Sequence, residues 1–360
     1  MSLAWNLVQF VLILMGLVLV HEWGHMWVAK KCGMRVERFS IFFGKPVRSF
    51  RRGETEYAIG WLPLGGYVKI SGMTRDEEVP DDVRHRTYHA AKTWKRVATI
   101  AAGPGVNIVV AFLAFAAMFW VGTPRSQHLT TEVHRVTAGS PAASIGLAEG
   151  DRIVAVDGVS TTDPERVREL LAARPGQVTR IAYRHGSDTV TRSVRLQTAK
   201  DPETGKPIGR LGFMFTIEDG PTVRSGPAEG LADSGRYTWF VTRETGKILG
   251  RQFTRPDIDQ VNSVVGAGAA YNEVADRGFA TVLNFIGLLS LALALFNLLP
   301  IPPLDGGHIL FALIEKVRGS PLPRRAFETA SVVGMVAITL LAVVLIQNDI
   351  FRIANGTLMP

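Results

Sequence analysis

Four long stretches of this chain are apolar and almost free of charge, which excludes an ordinary soluble fold. The stretches are residues 3–29, 97–121, 278–299 and 329–346. The apolar core of a bilayer is about 30 Å thick, and a helix of about 20 residues crosses it. The pattern therefore predicts a polytopic α-helical membrane protein with about four transmembrane helices, surrounded by the lipid bilayer.

A cleaved signal peptide is the alternative interpretation of the first stretch. Such a peptide begins with a basic segment and ends at a cleavage site formed by small residues. Residues 1–20 contain no Lys or Arg, and no small-x-small site follows them. We therefore expect the first stretch to remain in the protein as a helix.

The distribution of basic residues predicts the orientation in the membrane. The net charge of +8 is carried by segments between the apolar stretches, so we expect no nucleic acid as a partner. Fifteen Lys and Arg lie between residues 30 and 96, and none precedes the first stretch. Because cytoplasmic loops are rich in these residues, 31–96 and 305–326 are expected in the cytoplasm. The N-terminus, residues 122–277 and the C-terminus are then expected outside it.

A candidate metal motif lies near the inner end of the first stretch. It reads His21-Glu22-Trp23-Gly24-His25. Histidines at i and i+4 lie about 6 Å apart on one helix face, which suits a shared zinc ion, and the glutamate between them suits a general base. Ionisable groups at this depth cost about 3 kcal/mol each, and a bound metal offsets that cost. The alternative is a polar patch at the membrane interface.

A third ligand is predicted after the third stretch. The segment from Asn297 to Gly307 reads NLLPIPPLDGG, and its three prolines must end the helix. Broken backbone at membrane depth is tolerated where it lines protein or a wet cavity. Asp305 is then an intramembrane carboxylate at the depth of the histidines. Its alternative role is to cap the next helix.

Together, HEWGH and NLLPIPPLDGG resemble the site-2 proteases, the zinc intramembrane proteases of the peptidase M50 type. The resemblance is strongest to the bacterial regulator-of-sigma-E type and covers nearly the whole chain. Two further segments are similar to family signatures, Gly103-Pro104-Gly105-Val106-Asn107 and Pro63-Leu64-Gly65-Gly66-Tyr67-Val68.

The resemblance implies a role for each motif residue. His21, His25 and Asp305 would bind Zn²⁺, and Glu22 would be the catalytic base. Asn297 would hold the substrate or the oxyanion, with a helix–helix hydrogen bond as the alternative. Asn107 is expected to pack the second stretch against the core, and His308 to lie just outside the metal ligands.

Short strands are predicted in the segment after the first stretch. Residues 39–43, 47–50 and 57–61 are rich in aromatic residues and are predicted to be short strands, separated by turns at Gly44-Lys45-Pro46 and Arg52-Gly53-Glu54. An unwound substrate is expected to add as a strand to the edge at 57–61, as the family resemblance also implies. The alternative is an amphipathic hairpin anchored at the membrane surface.

Residues 128–215 resemble a PDZ domain of the bacterial protease kind. The pattern predicts a strand at 133–136, a Gly150-Asp151 turn before a second strand, and a helix with Asp163 as its N-cap and Pro164 as its first residue. Strands at 179–183 and 189–196 follow. Peptide binding and exclusion of bulky substrates are equally open roles for this domain.

The predicted division of the chain follows from these segments. It comprises 1–30 (first transmembrane helix), 31–93 (cytoplasmic membrane-associated β region), 94–121 (second helix), 128–215 (PDZ), 216–277 (extracytoplasmic linker with a helix at 228–252), 278–308 (third helix and LDGG segment) and 309–348 (cytoplasmic helix and fourth transmembrane helix).

The expected activity is zinc-dependent endoproteolysis within transmembrane segments, in the cytoplasmic (inner) membrane of a bacterium. The expected partners are single-pass membrane proteins, such as an anti-sigma factor, or remnant signal peptides. A catalytically inactive membrane PDZ adaptor is the alternative. A metal transporter is disfavoured because the second and fourth stretches contain no ionisable residue.

Overall fold

The computed structural model describes residues 3–62, 65–73, 77–124, 127–201, 205–254 and 261–354. The chain divides into two compact units. The first comprises Met1–Val121 and Arg224–Gln347, and the second comprises Gly122–Val223 and Asn348–Pro360.

The helices and strands follow one another in three groups. The first group is α1 (Leu3–Lys31), β1 (Val36–Ser40), β2 (Phe43–Arg52), β3 (Thr55–Leu62), β4 (Tyr67–Ile70) and α2 (Thr93–Val121). The second is β5 (Thr123–Pro124), β6 (Gln127–Val136), α3 (Pro141–Ser144), β7 (Arg152–Val156), β8 (Val159–Ser160), α4 (Pro164–Ala172), β9 (Val178–His185), β10 (Asp188–Arg195), β11 (Gln197–Lys200), β12 (Pro207–Arg210), β13 (Phe213–Asp219) and β14 (Thr222–Val223). The third is α5 (Pro227–Thr254), α6 (Val264–Val274), α7 (Phe279–Asn297), α8 (Asp305–Arg318) and α9 (Arg324–Ala354).

Four of the described helices, α1, α2, α7 and α9, are long and apolar enough to cross a membrane. They coincide with the four predicted stretches, so the prediction of four apolar helices is confirmed. The fourth helix is longer than the predicted 329–346 at both ends. A hydropathy pattern detects only the apolar part of a helix. The helix itself continues into flanking polar residues, because many polar residues also favour helical structure.

Close packing brings α1, α2 and α7 together in the first unit. Gly24 of α1 lies so near α2 that a Cβ atom there would be 2.7 Å from the Ala102 carbonyl oxygen. Farther along α2, the fully buried Phe115 packs with Leu291 of α7. Small residues at such positions let transmembrane helices approach closely.

The β region of the first unit is a four-stranded sheet with the order β2-β3-β1-β4. β1 pairs with β3 in parallel, and the other neighbours are antiparallel. The prediction that 57–61 is an edge was wrong for Tyr57 and Ala58, which pair with β1 on one side and β2 on the other, and the edge strands of the sheet are β2 and β4. The predicted turn at Gly44-Lys45-Pro46 was also wrong, since these residues lie within β2 where its register shifts. The turn at Gly53-Glu54 is present.

The proline segment separates α7 from α8. α7 ends at Asn297, and α8 begins at Asp305, with Leu304 as its N-cap residue. Asp305 is therefore the first residue of the helix and does not occupy the capping position. A Cβ atom at Gly306 would collide with the carbonyl oxygens of Leu298 and Leu299. The first turn of α8 thus packs directly on the end of α7, which fixes the position of Asp305.

The second unit contains a sheet with the order β10-β9-β7-β6-β13, and β8 pairs with β7. Its core includes the fully buried Val133, Ile153, Val167 and Ile181. α4 begins at Pro164, and the Asp163 side chain accepts a hydrogen bond from the Glu165 amide, as predicted from the sequence. The unit extends beyond the predicted end at 215, because β13 continues to Asp219 along β6.

Candidate metal centre

Three side chains that the sequence analysis selected lie together in the first unit. His21 and His25 are one turn apart on α1, and both are buried. Nε2 of His21 lies 3.1 Å from Oδ2 of Asp305, and Nε2 of His25 lies 3.3 Å from the same oxygen. The two Nε2 atoms are 3.2 Å apart. Two imidazoles and one carboxylate therefore present their ligand atoms to a single point.

This triangle of atoms has the dimensions of one face of a small tetrahedral site. Zinc binds nitrogen and oxygen at about 2.0–2.2 Å, which separates neighbouring tetrahedral ligands by about 3.3–3.6 Å. The edges of 3.1–3.3 Å are slightly shorter than these values. Among the described residues, Oδ2 of Asp305 is buried without a hydrogen-bond partner, although both rings adjoin it. The donor set thus fits a divalent metal.

Gly103 on α2 leaves space beside the ligand atoms. A Cβ atom at this glycine would collide with Nε2 of His25 and would lie 2.8 Å from Nε2 of His21. The GPGVN segment therefore lies against both histidines at their metal-binding side. This segment was notable in the sequence only for its similarity to a family signature, and its contact with the histidines was not predicted.

Both histidine rings are also contacted through Nδ1. Nδ1 of His25 lies 2.9 Å from the carbonyl oxygen of Thr99, and Nδ1 of His21 lies 3.3 Å from Nδ2 of Asn107. Such second contacts orient metal-binding histidines. The contact of Thr99 with His25 was not predicted, because it uses the backbone carbonyl group, which leaves no signal in residue type.

Glu22 lies between the histidines and faces the β sheet. It is half-buried, and its carboxylate lies near the backbone amide of Val68 in β4. Gly66 is also close, since a Cβ atom there would lie 3.4 Å from Cγ of Glu22. The predicted signature at 63–68 thus contacts the candidate base through Gly66 and Val68, and its first two residues, Pro63 and Leu64, lie outside the described residues.

Two other predicted residues lie outside the three-ligand set. Asn297 is half-buried, and its Nδ2 donates to the carbonyl oxygen of Leu293 in the same helix at 2.9 Å. This bond does not join two helices, and a role in substrate binding stays a prediction. His308 follows Asp305 by one turn, and its ring packs on Phe327 of α9 with the centroids 5.0 Å apart.

Comparisons with known proteins cover nearly the whole chain. The profile of Peptidase family M50 matches residues 9–341. A putative zinc metalloprotease of Agrobacterium fabrum is 35% identical over 96% of this chain and 95% of its own length. The regulator of sigma-E protease RseP of Escherichia coli is 28% identical over 98% of this chain and 100% of its own length.

Solved structures are similar to a smaller part of the chain. The PDZ domain of an SdrC-like protein from Listeria innocua is 28% identical, with a TM-score of 0.21, and the match covers 24% of this chain and 92% of that domain. The four apolar helices and the RseP relatives indicate a protein of the inner membrane. Because the family profile and the full-length relatives span its sequence, the chain belongs to peptidase family M50 and is a metalloprotease of the site-2 type.

Proposed function

We propose that His21, His25 and Asp305 hold a zinc ion and that Glu22 is the general base for hydrolysis of peptide bonds within transmembrane segments. The observation that carries the proposal is the convergence of three ligand atoms within 3.3 Å of one another. Two imidazoles and a carboxylate suit zinc. The relatives named zinc metalloproteases support the same ion.

The mechanism assigns a task to each residue of this chain. Zinc, when bound, would supply Lewis-acid activation of water and of the scissile carbonyl. Glu22 would accept the proton of the attacking water and deliver it to the leaving amide nitrogen. The nearby backbone amide of Val68 would help to hold the Glu22 carboxylate in place during both transfers. Burial of both histidines would limit the access of bulk water to the reacting atoms.

The substrate would reach Glu22 as an extended strand on the outer edge of β4. A helical peptide bond is tied into its helix, so the segment must unwind before it is attacked. β4 is an edge strand, and its Val68 contacts Glu22. A segment added there gains main-chain hydrogen bonds beside the catalytic group. Anchoring at the membrane surface remains the alternative for the other edge, where Val47 and Phe50 of β2 are exposed.

The second unit would be a PDZ domain outside the cytoplasm. This proposal is supported by the sheet with α4 packed against it and by the buried Asp151. Oδ2 of Asp151 accepts a hydrogen bond of 2.9 Å from the backbone amide of Ala148, in the expected Gly-Asp turn. We propose that this unit selects substrates, through peptide binding or through exclusion of bulky outer domains. Residues 31–93 and the active site would face the cytoplasm, and both termini would lie outside it, because the basic residues are concentrated in the first loop.

Single-pass membrane proteins would be the substrates. The E. coli relative is named for regulation of sigma-E, which favours an anti-sigma factor, and remnant signal peptides present the same chemistry. The four candidate catalytic residues lie together, so nothing in the described residues favours the catalytically inactive adaptor.

The test is metal analysis of the purified protein combined with cleavage of a single-pass model substrate. Glu22→Gln is expected to retain about one zinc per chain and to lose cleavage, because it removes only the base. His21→Ala is expected to lose both. Cleavage by Glu22→Gln at the wild-type rate would rule out Glu22 as the base, and full zinc content in His21→Ala would rule out the ligand set.

A further inference from the structure

Asn107 is a fully buried polar residue whose side chain adjoins the candidate metal ligands. Its residue exposure is 0%, and its Nδ2 lies 3.3 Å from Nδ1 of His21. Among the described residues, its Oδ1 is buried and has no hydrogen-bond partner. Because this amide oxygen has no partner, it is available to accept a hydrogen bond.

The two histidines differ in what fixes their tautomers. The carbonyl oxygen of Thr99 can only accept, so Nδ1 of His25 must carry the hydrogen. In the neutral ring, Nε2 of His25 then carries the lone pair, and this atom lies 3.3 Å from Oδ2 of Asp305. His21 needs the same tautomer to bind a metal through Nε2, but its Nδ1 faces a side-chain amide.

The amide of Asn107 can supply the missing acceptor. Its two ends have nearly the same shape, and a half-turn about the Cβ–Cγ bond exchanges the oxygen with the nitrogen. Oδ1 then occupies the place of Nδ2, about 3.3 Å from Nδ1 of His21, where it accepts the ring hydrogen.

We infer that Asn107 is a positioning residue for the metal site, which it serves by accepting Nδ1–H of His21 and so presenting the Nε2 lone pair to the metal. The inference rests on the proposed function. It adds a residue that acts through His21 and touches neither metal nor substrate. The resulting site is asymmetric, because the backbone orients His25 and one replaceable side chain orients His21.

A neighbouring bond provides a matched control. The hydroxyl of Ser290 on α7 donates to the backbone carbonyl oxygen of Asn107 at 2.8 Å, and Ser290 is fully buried. Ser290→Ala therefore disturbs the packing of α2 and α7 at Asn107 but leaves the amide beside His21 intact. A merely structural role of Asn107 would make the two positions behave alike.

The experiment measures zinc affinity of the purified full-length chain by competition with a chelator, together with the absorption spectrum of the Co²⁺-loaded protein. Asn107→Leu keeps the size of the side chain and removes the acceptor, so zinc affinity should fall about 10–100-fold and the Co²⁺ bands should shift. Asn107→Asp keeps an acceptor and should bind within about threefold of wild type, as other carboxylate–histidine pairs support a metal ligand. Ser290→Ala should match wild type in both readouts.

Asn107→Ala repeats the test with a smaller side chain, in case the leucine does not fit. If a folded Asn107→Leu or Asn107→Ala protein has the zinc affinity and Co²⁺ spectrum of wild type, the inference is overturned. It is also overturned if Ser290→Ala loses as much zinc affinity as the Asn107 variants. A wild-type chain that binds no metal, or a His21→Ala chain that binds it as well as wild type, would overturn the proposed function and this inference with it.

Discussion

Arg96 of α2 and Glu315 of α8 form an ion pair with an N–O distance of 2.8 Å, and their side chains are only 10% and 12% exposed. Glu315 lies on the same helix as Asp305, so the pair ties the helix that begins at Asp305 to α2. The Arg96 guanidinium also lies 5.0 Å from the centroid of the Tyr88 ring. One arginine thus joins α2 to α8 and to the segment that follows the sheet.

Removing one partner of this pair should destabilise the protein. A buried charge left alone costs about 3–5 kcal/mol. The pair lines a cavity of about 800 Å³ that admits water, so we expect about 2–3 kcal/mol for Glu315→Gln or Arg96→Met. Thermal unfolding in detergent measures the change. The double variant should recover most of the loss, because no unpaired charge remains, and a double variant as unstable as the worse single variant would contradict this account.

A methyl group at Gly103 should displace the metal. Its Cβ atom would collide with Nε2 of His25 and crowd Nε2 of His21, so Gly103→Ala should lose most of the bound zinc and the cleavage activity. Helix propensity does not oppose the change, since alanine is favoured over glycine by about 1 kcal/mol. Zinc content and activity are the measurements.

Gly105→Ala is the control for Gly103→Ala, since a Cβ atom at Gly105 meets nothing within 4 Å. It makes the same substitution in the same helix and should retain zinc and activity. Full zinc occupancy in Gly103→Ala would mean that the ion does not lie beside this glycine.

The apolar helices and the pair of candidate histidine ligands were predictable because their signals are local, whereas the choice of Asp305 as the third candidate ligand relied on its expected depth and on the family resemblance. The spacing of His21 and His25 follows from helix geometry, and the prolines before Asp305 require a break in the helix whatever surrounds it. The cap at Asp163 was predictable for the same reason, since it depends on neighbouring residues only.

Contacts between distant segments were not predictable in the same way. The sequence of 57–61 reads as a strand, but its position inside the sheet depends on pairing with both β1 and β2. The contact of Val68 with Glu22 joins β4 to α1, and nothing in either segment specifies the other. α6 was missed because its small residues, such as Gly266 and Gly268, carry no amphipathic pattern, and it packs through Tyr271 against Phe10 of α1.

Removal of the second unit should change which substrates are cut. Thr123 pairs with Val223 and Pro124 pairs with Thr222, so the two ends of the unit lie side by side. Residues 128–219 can therefore be replaced by a short flexible linker with little strain. If the unit excludes bulky substrates, the shortened protein should cleave an untrimmed substrate that the full chain spares. It should cut a trimmed substrate at a similar rate.

The trimmed substrate is the internal control for the deletion, because its cleavage reports an intact active site. Continued sparing of the untrimmed substrate by an active deletion variant would show that exclusion is not the role of this unit. Slower cleavage of the trimmed substrate by a deletion variant that keeps the zinc content of the full chain would favour peptide binding.

The edge of β4 should be the strand that lies beside the substrate. Lys69 of β4 and Arg48 of β2 are both exposed basic residues on the two edge strands of one sheet, so each can be replaced by cysteine to report on its own edge, although Lys69 also pairs with Glu37 and Glu77. Cys32 is the only cysteine in the chain, so a Cys32→Ser background leaves a single reactive thiol. Glu22→Gln is added to keep the substrate uncut.

Cross-linking between this thiol and a cysteine placed near the cleavage site of the substrate measures the contact. Side chains opposite each other on neighbouring strands have Cβ atoms about 4.5–5.5 Å apart, which a small adjustment brings within reach of a disulfide. Lys69→Cys should therefore cross-link efficiently to a few neighbouring positions of the substrate. Arg48→Cys should cross-link only weakly, whichever substrate position carries the cysteine. β4 contacts Glu22, whereas β2 has no such contact among the described residues. Stronger cross-linking from Arg48→Cys would therefore mean that the substrate approaches Glu22 without adding as a strand to β4.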